Sequence, residues 1–358
     1  MPSLKEIKGR INSISSTLAI TSAMKMVASA KLQKAQMAIQ NMLPYERRLY
    51  SMLLDLMGAM NISAAASEDG SVRGSGSAER GFDQSGDRLS LSNRHDLAGM
   101  DGAYSLMAQR EVRKVAIVAF ASNSSLCGAF NSNVIREATA VINEYRASGL
   151  RDSDIVVYSV GRKMAEAMRK LGFPSPADFT KMSDSPSYEA ASALAQELLD
   201  GFVSGRFDKV ELVYNHYKST SSQPTTRQTY LPLSLADATA DIQVGKITDP
   251  ASETDTNRVA EPVGAPVVRQ GSPTTEDLIV EPSKEALIAT LLPKVVRLRV
   301  FTTLLDSTAA EHAARTVAMQ LATDNGNDLL QELTLEYNKG RQQKITSEIL
   351  DLVGGSMQ

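Results

Sequence analysis

The sequence has little of what metal sites, disulfides and membrane spans are made from. Cys127 is the single cysteine, and three histidines are scattered along 358 residues. One cysteine cannot form an internal disulfide, which fits a reducing compartment, and the scatter of His and Cys argues against a zinc site. No apolar run reaches the roughly eighteen residues that a transmembrane helix needs, and the N-terminus shows no signal-peptide core. A net charge of −3 gives no reason to expect nucleic acid or an anionic membrane as a partner.

Catalytic motifs are missing as well. No Ser/His/Asp or Cys/His arrangement stands out, and the Gly-Ser-Gly at 74–76 neither follows a strand pattern nor opens a helix. Residues 122–128, after the first strand pattern, lack both the Gly-x-Gly-x-x-Gly spacing and a Walker lysine. The Gly-Arg-Lys at 161–163 lies between a strand and a helix, where it either meets a phosphate or forms an ordinary turn. We therefore predict no catalytic site and no cofactor.

The C-terminal stretch, residues 282–358, has a helical pattern of unusual length. Apolar or small residues recur at three- and four-residue steps, which places one narrow stripe on one side of a helix. Such a helix spans on the order of 110 Å, several times the usual length, so it needs a partner along its side. The stripe consists of Leu287, Leu291, Val295, Leu298, Thr302, Leu305, Ala309, His312, Thr316, Met319, Thr323, Gly326, Leu330, Leu333 and Tyr337.

The first fifty residues repeat this pattern and offer the partner. Ser3 and Glu6 fit a capping box, and Pro44 would kink or end a helix that no partner holds. We predict an antiparallel coiled coil of residues 3–52 with 282–358, in which the second helix overhangs by about twenty residues, or about 30 Å. The alternative is that each is a core helix of a globular bundle. The stripe consists of Leu4, Ile7, Ile11, Ile14, Leu18, Thr21, Ala28, Leu32, Ala35, Ile39 and Met42.

The first helix is also basic, with eight lysines and arginines against two glutamates in residues 1–50. Three interpretations are open at this point: a solvated face, a nucleic-acid arm, or a surface that turns against acidic protein neighbours. Tyr45 and Tyr50 are the only aromatic residues there that could stack on bases, and both lie near its end.

Residues 112–235 alternate strand and helix patterns. The order predicts a small, mostly parallel sheet with Rossmann-like winding. Strand patterns cover 112–121, 154–160, 209–217 and 225–235, and helix patterns cover 131–147, 161–171 and 187–203. The fold class is therefore α/β, combined with a long antiparallel coiled coil formed by the two terminal helices.

Two segments carry no apolar period. Gly and Ser dominate residues 58–111, which we interpret as a flexible insertion. Residues 236–281 form a second, loop-rich insertion, with Leu278 to Val280 as a short edge strand. The predicted divisions are 1–57 (first coiled-coil helix), 58–111, 112–235 (α/β domain), 236–281 and 282–358 (second coiled-coil helix).

Several motifs now indicate a family. The segments that carry the resemblance are 20–28 (ITSAMKMVA), 126–131 (LCGAFN), 281–283 (EPS), 311–319 (EHAARTVAM), 322–325 (ATDN), 333–338 (LTLEYN) and 341–349 (RQQKITSEI). They resemble the gamma subunit of F-type ATP synthases, bacterial type. The chain departs from that pattern at Ser125, where the family has glycine, and in its two longer insertions.

The resemblance implies a non-catalytic rotor subunit. In that family the coiled coil stands inside a hexamer of alpha and beta subunits, and the α/β domain forms a foot with the epsilon subunit on the ring of c subunits. Rotation of the ring would change the conformations of the catalytic beta subunits for ATP synthesis. Membrane attachment would be indirect, through the c-ring on the cytoplasmic face of the bacterial inner membrane.

Residue roles follow from the same resemblance. Motif matches place Met24, Lys25, Arg315, Arg341, Gln342, Ile345, Thr346, Ile349 and Leu352 against the alpha and beta subunits. They place Tyr214, Asn215, Tyr217 and Lys218 against the c-ring and epsilon. Two other classes remain to be compared: a Rossmann-like enzyme or ligand-binding domain with a coiled-coil oligomerisation arm, and a coiled-coil nucleic-acid protein.

Overall fold

Two long helices and a four-stranded sheet dominate the computed structural model, which describes residues 3–59, 106–233, 281 and 283–356. In chain order the elements are α1 (Leu4–Ala59), β1 (Val115–Phe120), α2 (Phe130–Ala147), a 3-10 turn (Asp152–Asp154), β2 (Ile155–Val160), α3 (Arg162–Lys170), α4 (Thr180–Asp184), α5 (Tyr188–Val203), β3 (Lys209–Asn215), β4 (Thr225–Leu231) and α6 (Lys284–Ser356). Most of the two predicted insertions, and the whole predicted strand from Leu278 to Val280, lie outside the described residues.

The two terminal helices, α1 and α6, form the predicted antiparallel pair, which we call the helical pair. Thr323 Oγ1 donates to Thr21 Oγ1 over 3.1 Å, and Arg299 Nη1 lies 3.3 Å from Glu46 Oε1. The facing pairs are Leu4 with Gly340, Leu18 with Gly326, Thr21 with Thr323, and Glu46 with Arg299. The two residue numbers of each pair add up to 344 or 345, so the helices keep one register from end to end.

Helix α1 continues through Pro44 to Ala59, past residue 52 of the predicted coiled coil and close to the division predicted at residue 57. Pro44 is exposed, whereas Leu49, Leu53 and Leu56 beyond it are buried against α6 and the sheet. An interior proline costs a helix about 3 kcal/mol or more, so these apolar contacts must outweigh the loss. The partner helix therefore holds the turn around Pro44 together.

The sheet has the strand order β2-β1-β3-β4. Strand β1 pairs parallel with β2 and with β3, whereas β4 pairs antiparallel with β3, so the sheet is mostly parallel as predicted. All six residues of β1 are buried because helices cover both faces of the sheet.

The helical pair supplies part of the core of the α/β domain. One face of the sheet packs on α2 and α3, through side chains such as Val134 and Met164. The other face packs on α5, on the end of α1 and on the first turns of α6, where Ile288, Leu292 and Val296 are buried. The domain is thus built directly onto one end of the helical pair.

Residues 106–111 pack on the α/β domain, although the sequence assigned them to the insertion. Leu106 is buried, and its carbonyl accepts a hydrogen bond from the Leu233 amide over 2.9 Å. Arg110 Nη1 donates to the Phe202 carbonyl over 3.1 Å. Their contacts are long-range in sequence, so local composition gives no sign of them.

Two helical glycines allow a matched test of the seam. A Cβ at Gly326 would lie 2.7 Å from Leu18 Cδ2, whereas a Cβ at Gly9 meets nothing within 4 Å. Gly9→Ala should raise the free energy of unfolding by up to about 1 kcal/mol, because alanine favours the helix. Gly326→Ala should gain less than Gly9→Ala, because the end of the Leu18 side chain must first shift to make room for the new Cβ. Urea unfolding followed by circular dichroism measures both, and equal effects of the two substitutions would contradict the close approach at Gly326.

Candidate functional site: the helical pair and its junction with the sheet

The last part of α6 extends past the beginning of α1. Because Leu4, the first residue of α1, faces Gly340, the sixteen residues from Arg341 to Ser356 have no part of α1 beside them. We call this segment the tip, and at 1.5 Å per residue it is about 24 Å long. It is slightly shorter than the predicted overhang of about twenty residues, because Leu4 lies beside Gly340 and α6 ends at Ser356.

The tip presents an apolar stripe to its surroundings. Its members follow Ile345 at a step of four residues and then, counted from Ile349, at steps of three and four, which places them on one side of the helix. All are about half exposed or more, and they are Ile345, Ile349, Leu352 and Val353. Arg341 and Gln342 are exposed at the start of the tip, and the Thr346 hydroxyl donates to the Gln342 carbonyl over 2.9 Å.

The predicted contact residues in the middle of the helical pair differ in exposure. Met24 is exposed and Lys25 is half-buried. Arg315 is mostly buried: it lies 2.9 Å from the Glu311 carboxylate and donates to Ser124 Oγ over 2.8 Å. Arg315 therefore joins α6 to the loop after β1 in this structure.

Burial shifts the pKa of Glu311 and of His312, which lie four and three residues before Arg315 on α6. Burial, together with the charges of Lys31 and Arg315, lowers the pKa of His312 to about 4, so this imidazole is neutral at neutral pH. Burial raises the pKa of Glu311 above its ordinary value, although Arg315 opposes the shift. Nδ1 of His312 is buried and has no hydrogen-bond partner within the described residues. The interpretation of His312 as a packed residue of the seam agrees with this environment.

Two of the four predicted foot residues are inside the α/β domain. Tyr214 is buried in the core between the sheet and α6. Asn215 is 1% exposed; its Nδ2 donates to the Phe130 carbonyl, and its Oδ1 accepts from Thr225 Oγ1 over 2.7 Å. Both side chains are therefore covered largely by this chain itself.

The other two foot residues follow the end of β3. Tyr217 is half-buried, and its hydroxyl accepts a hydrogen bond from Gln36 Nε2 over 2.6 Å. Its amide donates to Asp306 Oδ1 over 2.9 Å. Lys218 is exposed, so it is the one of the four whose side chain is free to reach a neighbour.

The segment 161–163 forms an ordinary strand-to-helix turn. The amide of Arg162 donates to Asn123 Oδ1 over 2.8 Å, and the amide of Lys163 donates to the Ser122 carbonyl over 3.1 Å. Gly161 has φ of +95°, and a Cβ there would lie 2.0 Å from the Ala121 carbonyl oxygen. Since the amides that would bind a phosphate are already occupied, the phosphate interpretation loses its basis.

The part of the chain that the structure describes also gives no support for a reactive cysteine, a metal site or a membrane-spanning helix. Cys127 is buried, and Asn131 Nδ2 lies 3.1 Å from its Sγ, as expected of a packed structural thiol. No group of His, Cys, Asp or Glu among residues 3–59, 106–233 and 283–356 could hold a metal ion. In the same ranges, none of the helices has the length and apolar character that crossing a bilayer requires.

Sequence reasoning missed two features of the domain. Leu126 has φ of +69° and is largely exposed, and no residue pattern indicates that a leucine adopts this left-handed conformation. Glu211 is 1% exposed and lies between Lys209 and Arg227. A glutamate inside an otherwise apolar strand was the signal that could have revealed a buried ion pair.

The fold and the site together define a class of protein: a two-helix shaft with an α/β domain at one end and an exposed helical tip at the other. A family model described as ATP synthase matches residues 3–357. The "ATP synthase gamma chain" of Phocaeicola vulgatus is 47% identical, and that of Bacteroides thetaiotaomicron 45%, each with 100% of both chains covered. The chain therefore belongs to the ATP synthase gamma chain family, as its motifs indicated.

A solved structure supports the fold independently. The rotor of the Euglena gracilis mitochondrial ATP synthase aligns with a TM-score of 0.52 at 18% identity, covering 96% of this chain and 98% of that one. At this identity the likeness concerns the fold alone. The full coverage of the two bacterial relatives also means that they span lengths comparable to this chain, long segments included.

Proposed function

We propose that this chain is the central-stalk rotor subunit of an F-type ATP synthase. It would couple ion-driven rotation of a c-ring to conformational changes in the catalytic beta subunits, and would carry no catalytic site of its own. Its partners would be the alpha and beta subunits around the helical pair and the epsilon subunit and c-ring at the α/β domain. Family membership supports the assignment to an ATP synthase, and the partners and the mechanism are our inference.

The single observation that carries this proposal is the exposed tip of α6. Sixteen residues without α1 beside them, with an apolar stripe on one side, are suited to an apolar sleeve formed by other chains. Apolar contacts have no preferred direction, so they permit rotation without favouring one angle. Arg341 and Gln342, at the start of the tip, can add charge-assisted and amide hydrogen bonds to a surrounding subunit.

An asymmetric shaft gives a physical basis for coupling. A shaft that contacts three equivalent subunits differently shifts the conformational populations of each one differently. Met24 is exposed on α1 and accessible to such a contact. Arg315 could reach a partner only by breaking its ion pair with Glu311 or its hydrogen bond to Ser124.

At the other end, Lys218 remains our proposed contact to the c-ring or epsilon. Tyr214 and Asn215 are the last two residues of β3, the strand that precedes Lys218. They would contribute to this contact only indirectly, by supporting the position of Lys218. We also propose the cytoplasmic face of the inner membrane as the location, since the relatives named above come from bacteria.

Co-purification tests the proposal directly. The chain is expressed with the alpha and beta subunits of its own organism, and the composition of the complex is measured by native mass spectrometry. We expect one copy for three alpha and three beta subunits, and loss of ATPase activity when the residues after Arg341 are removed. A stable homodimer that ignores alpha and beta would overturn the proposal and favour the oligomerisation-arm alternative.

A substitution in the tip gives a finer test. Ile349→Asp should lower the ATPase rate of the assembled complex by about tenfold or more, because a carboxylate is costly to bury in an apolar sleeve. Leu171→Asp is the control, since Leu171 is similarly exposed but lies on the α/β domain. It should leave the rate within about twofold of the unchanged complex. Equal rates for the two variants would contradict the apolar bearing.

A further inference from the structure

A carboxylate on α6 holds the chain just after β3 at two points. Asp306 Oδ1 accepts the amide of Tyr217 over 2.9 Å, and Asp306 Oδ2 lies 2.6 Å from His216 Nδ1. The Asp306 side chain is only 17% exposed. Each carboxylate oxygen thus takes one donor, which fixes both the position and the direction of this backbone relative to α6.

Tyr217 also connects this segment to α1. Its hydroxyl accepts from Gln36 Nε2 over 2.6 Å. Its ring packs against the seam cluster that contains Leu32 and Ala309, and against the cluster that contains Phe130. One residue of the α/β domain therefore contacts both long helices and the loop after β1. We call Gln36, Tyr217 and Asp306 the anchor.

The anchor consists of hydrogen bonds, whereas most of the contact between the α/β domain and the helical pair is apolar packing. The sheet packs on α6 mainly through apolar side chains such as Leu292 and Val296, whose contacts are non-directional. Hydrogen bonds at fixed distances resist sliding, because a displacement of about 1 Å already breaks them. The anchor lies at the carboxyl end of β3, beyond the apolar contacts near the start of α6.

We propose that Tyr217, seated by Asp306 and Gln36, is a positioning residue that prevents the α/β domain from turning relative to the helical pair under load. This inference rests on the proposed function. When the domain is driven by one partner and the helices meet resistance from another, torque passes through this contact. Without it the domain slips, and ATP hydrolysis continues with less ion transport for each ATP.

The test uses the assembled ATP synthase in sealed membrane vesicles, with hydrolysis and ATP-driven ion uptake measured in the same preparation. Asp306→Ala and Tyr217→Ala should each lower the ions taken up per ATP at least twofold, with hydrolysis within twofold of the unchanged enzyme. Asp306→Asn retains a carbonyl for the Tyr217 amide and should keep more than half of the coupling. Gln196→Ala is the control: it removes the hydrogen bond from Arg297 on the apolar side of the domain and should leave the ratio unchanged.

Two further measurements make every outcome decisive. If Asp306→Ala fails to assemble, Gln36→Ala and Tyr217→Phe test the inference instead. Gln36→Ala removes the hydrogen bond to α1, and Tyr217→Phe removes that bond together with a 3.5 Å contact to Thr220 Oγ1. Amide hydrogen exchange on the assembled enzyme should show faster exchange of the Tyr217 amide in Asp306→Asn and Asp306→Ala. A ratio that stays unchanged in every anchor variant, or uptake that falls only in proportion to hydrolysis, would overturn the inference. Failure of the unchanged chain to assemble with alpha and beta would instead overturn the proposed function.

Discussion

Glu211→Ala should lower the free energy of unfolding by about 3 to 5 kcal/mol, the usual cost of removing one partner from a buried ion pair. The Glu211 carboxylate accepts hydrogen bonds from Tyr145 over 2.6 Å and from Arg227 Nε over 2.7 Å, and lies 2.7 Å from Lys209 Nζ. Alanine leaves two cations and a hydroxyl at the edge of the core without their acceptor. Urea unfolding of the purified chain, followed by far-ultraviolet circular dichroism, measures the change.

An exposed ion pair provides the control for this prediction. Glu111 lies 2.6 Å from Arg113, and both side chains are 77% exposed. Glu111→Ala should change the free energy of unfolding by less than about 0.5 kcal/mol, because water screens such pairs. Equal changes in the free energy of unfolding for the two substitutions would show that burial does not explain how the Glu211 cluster stabilises the fold.

The same cluster predicts a pH dependence. Burial alone would raise the pKa of Glu211, but hydrogen bonds from Arg227, Lys209 and Tyr145 outweigh it, and the pKa falls below its ordinary 4.5. A carboxyl with a lowered pKa in the folded state stabilises the fold above its unfolded-state pKa, and this contribution is lost as the pH falls through the folded value. The stability difference between the unchanged chain and Glu211→Gln should therefore shrink below about pH 4.5.

Gly161→Ala should be still more harmful, with a loss of more than about 4 kcal/mol or failure to fold. The φ of +95° is strained for any L side chain, and the new Cβ would lie 2.0 Å from the Ala121 carbonyl oxygen. Backbone rather than a flexible side chain stands in the way, so the turn from β2 into α3 would have to move. Differential scanning calorimetry of the purified chain would show this as a large fall in Tm.

Gly149 makes a close control, because it separates backbone strain from steric overlap. Its φ is +96°, almost equal to that of Gly161, but a Cβ there meets nothing within 4 Å. Gly149→Ala should cost only the left-handed strain, about 1 to 2 kcal/mol. A fall in Tm as large as that of Gly161→Ala would mean that conformation, and not the Ala121 carbonyl, determines the effect.

The elements that the sequence predicted well are those with a long, regular apolar period. The stripe in residues 287–337 identified both the helix and the side that meets α1, because a narrow stripe on a very long helix has one solution: a second helix along it. The strand-helix alternation in 112–235 predicted the sheet for a similar reason. The sequence allowed α1 to pass Pro44 only if a partner held it, and the buried leucines beyond the proline provide that support through tertiary packing.

The site was predicted less completely, and for a physical reason. Motif matches indicate which residues matter, but they do not show which way a side chain points. Tyr214 and Asn215 lie only four and three residues before the exposed Lys218, yet both are buried as the last residues of β3. The contact of Tyr217 with another subunit stays a prediction, and its hydrogen bonds within the chain run to α1 and α6, over sequence separations that no local pattern reveals.

The constant register of the helical pair limits how the length of this chain can change. Deleting one residue from α1 would rotate everything beyond it by about 100°, which takes its apolar side chains off the seam with α6. A tolerated change would need an insertion of about seven residues in α1 and an equal one at the facing point of α6. Gains and losses of single residues are therefore expected to accumulate in the connecting stretches, and a lengthened or shortened shaft can be engineered only in matched blocks.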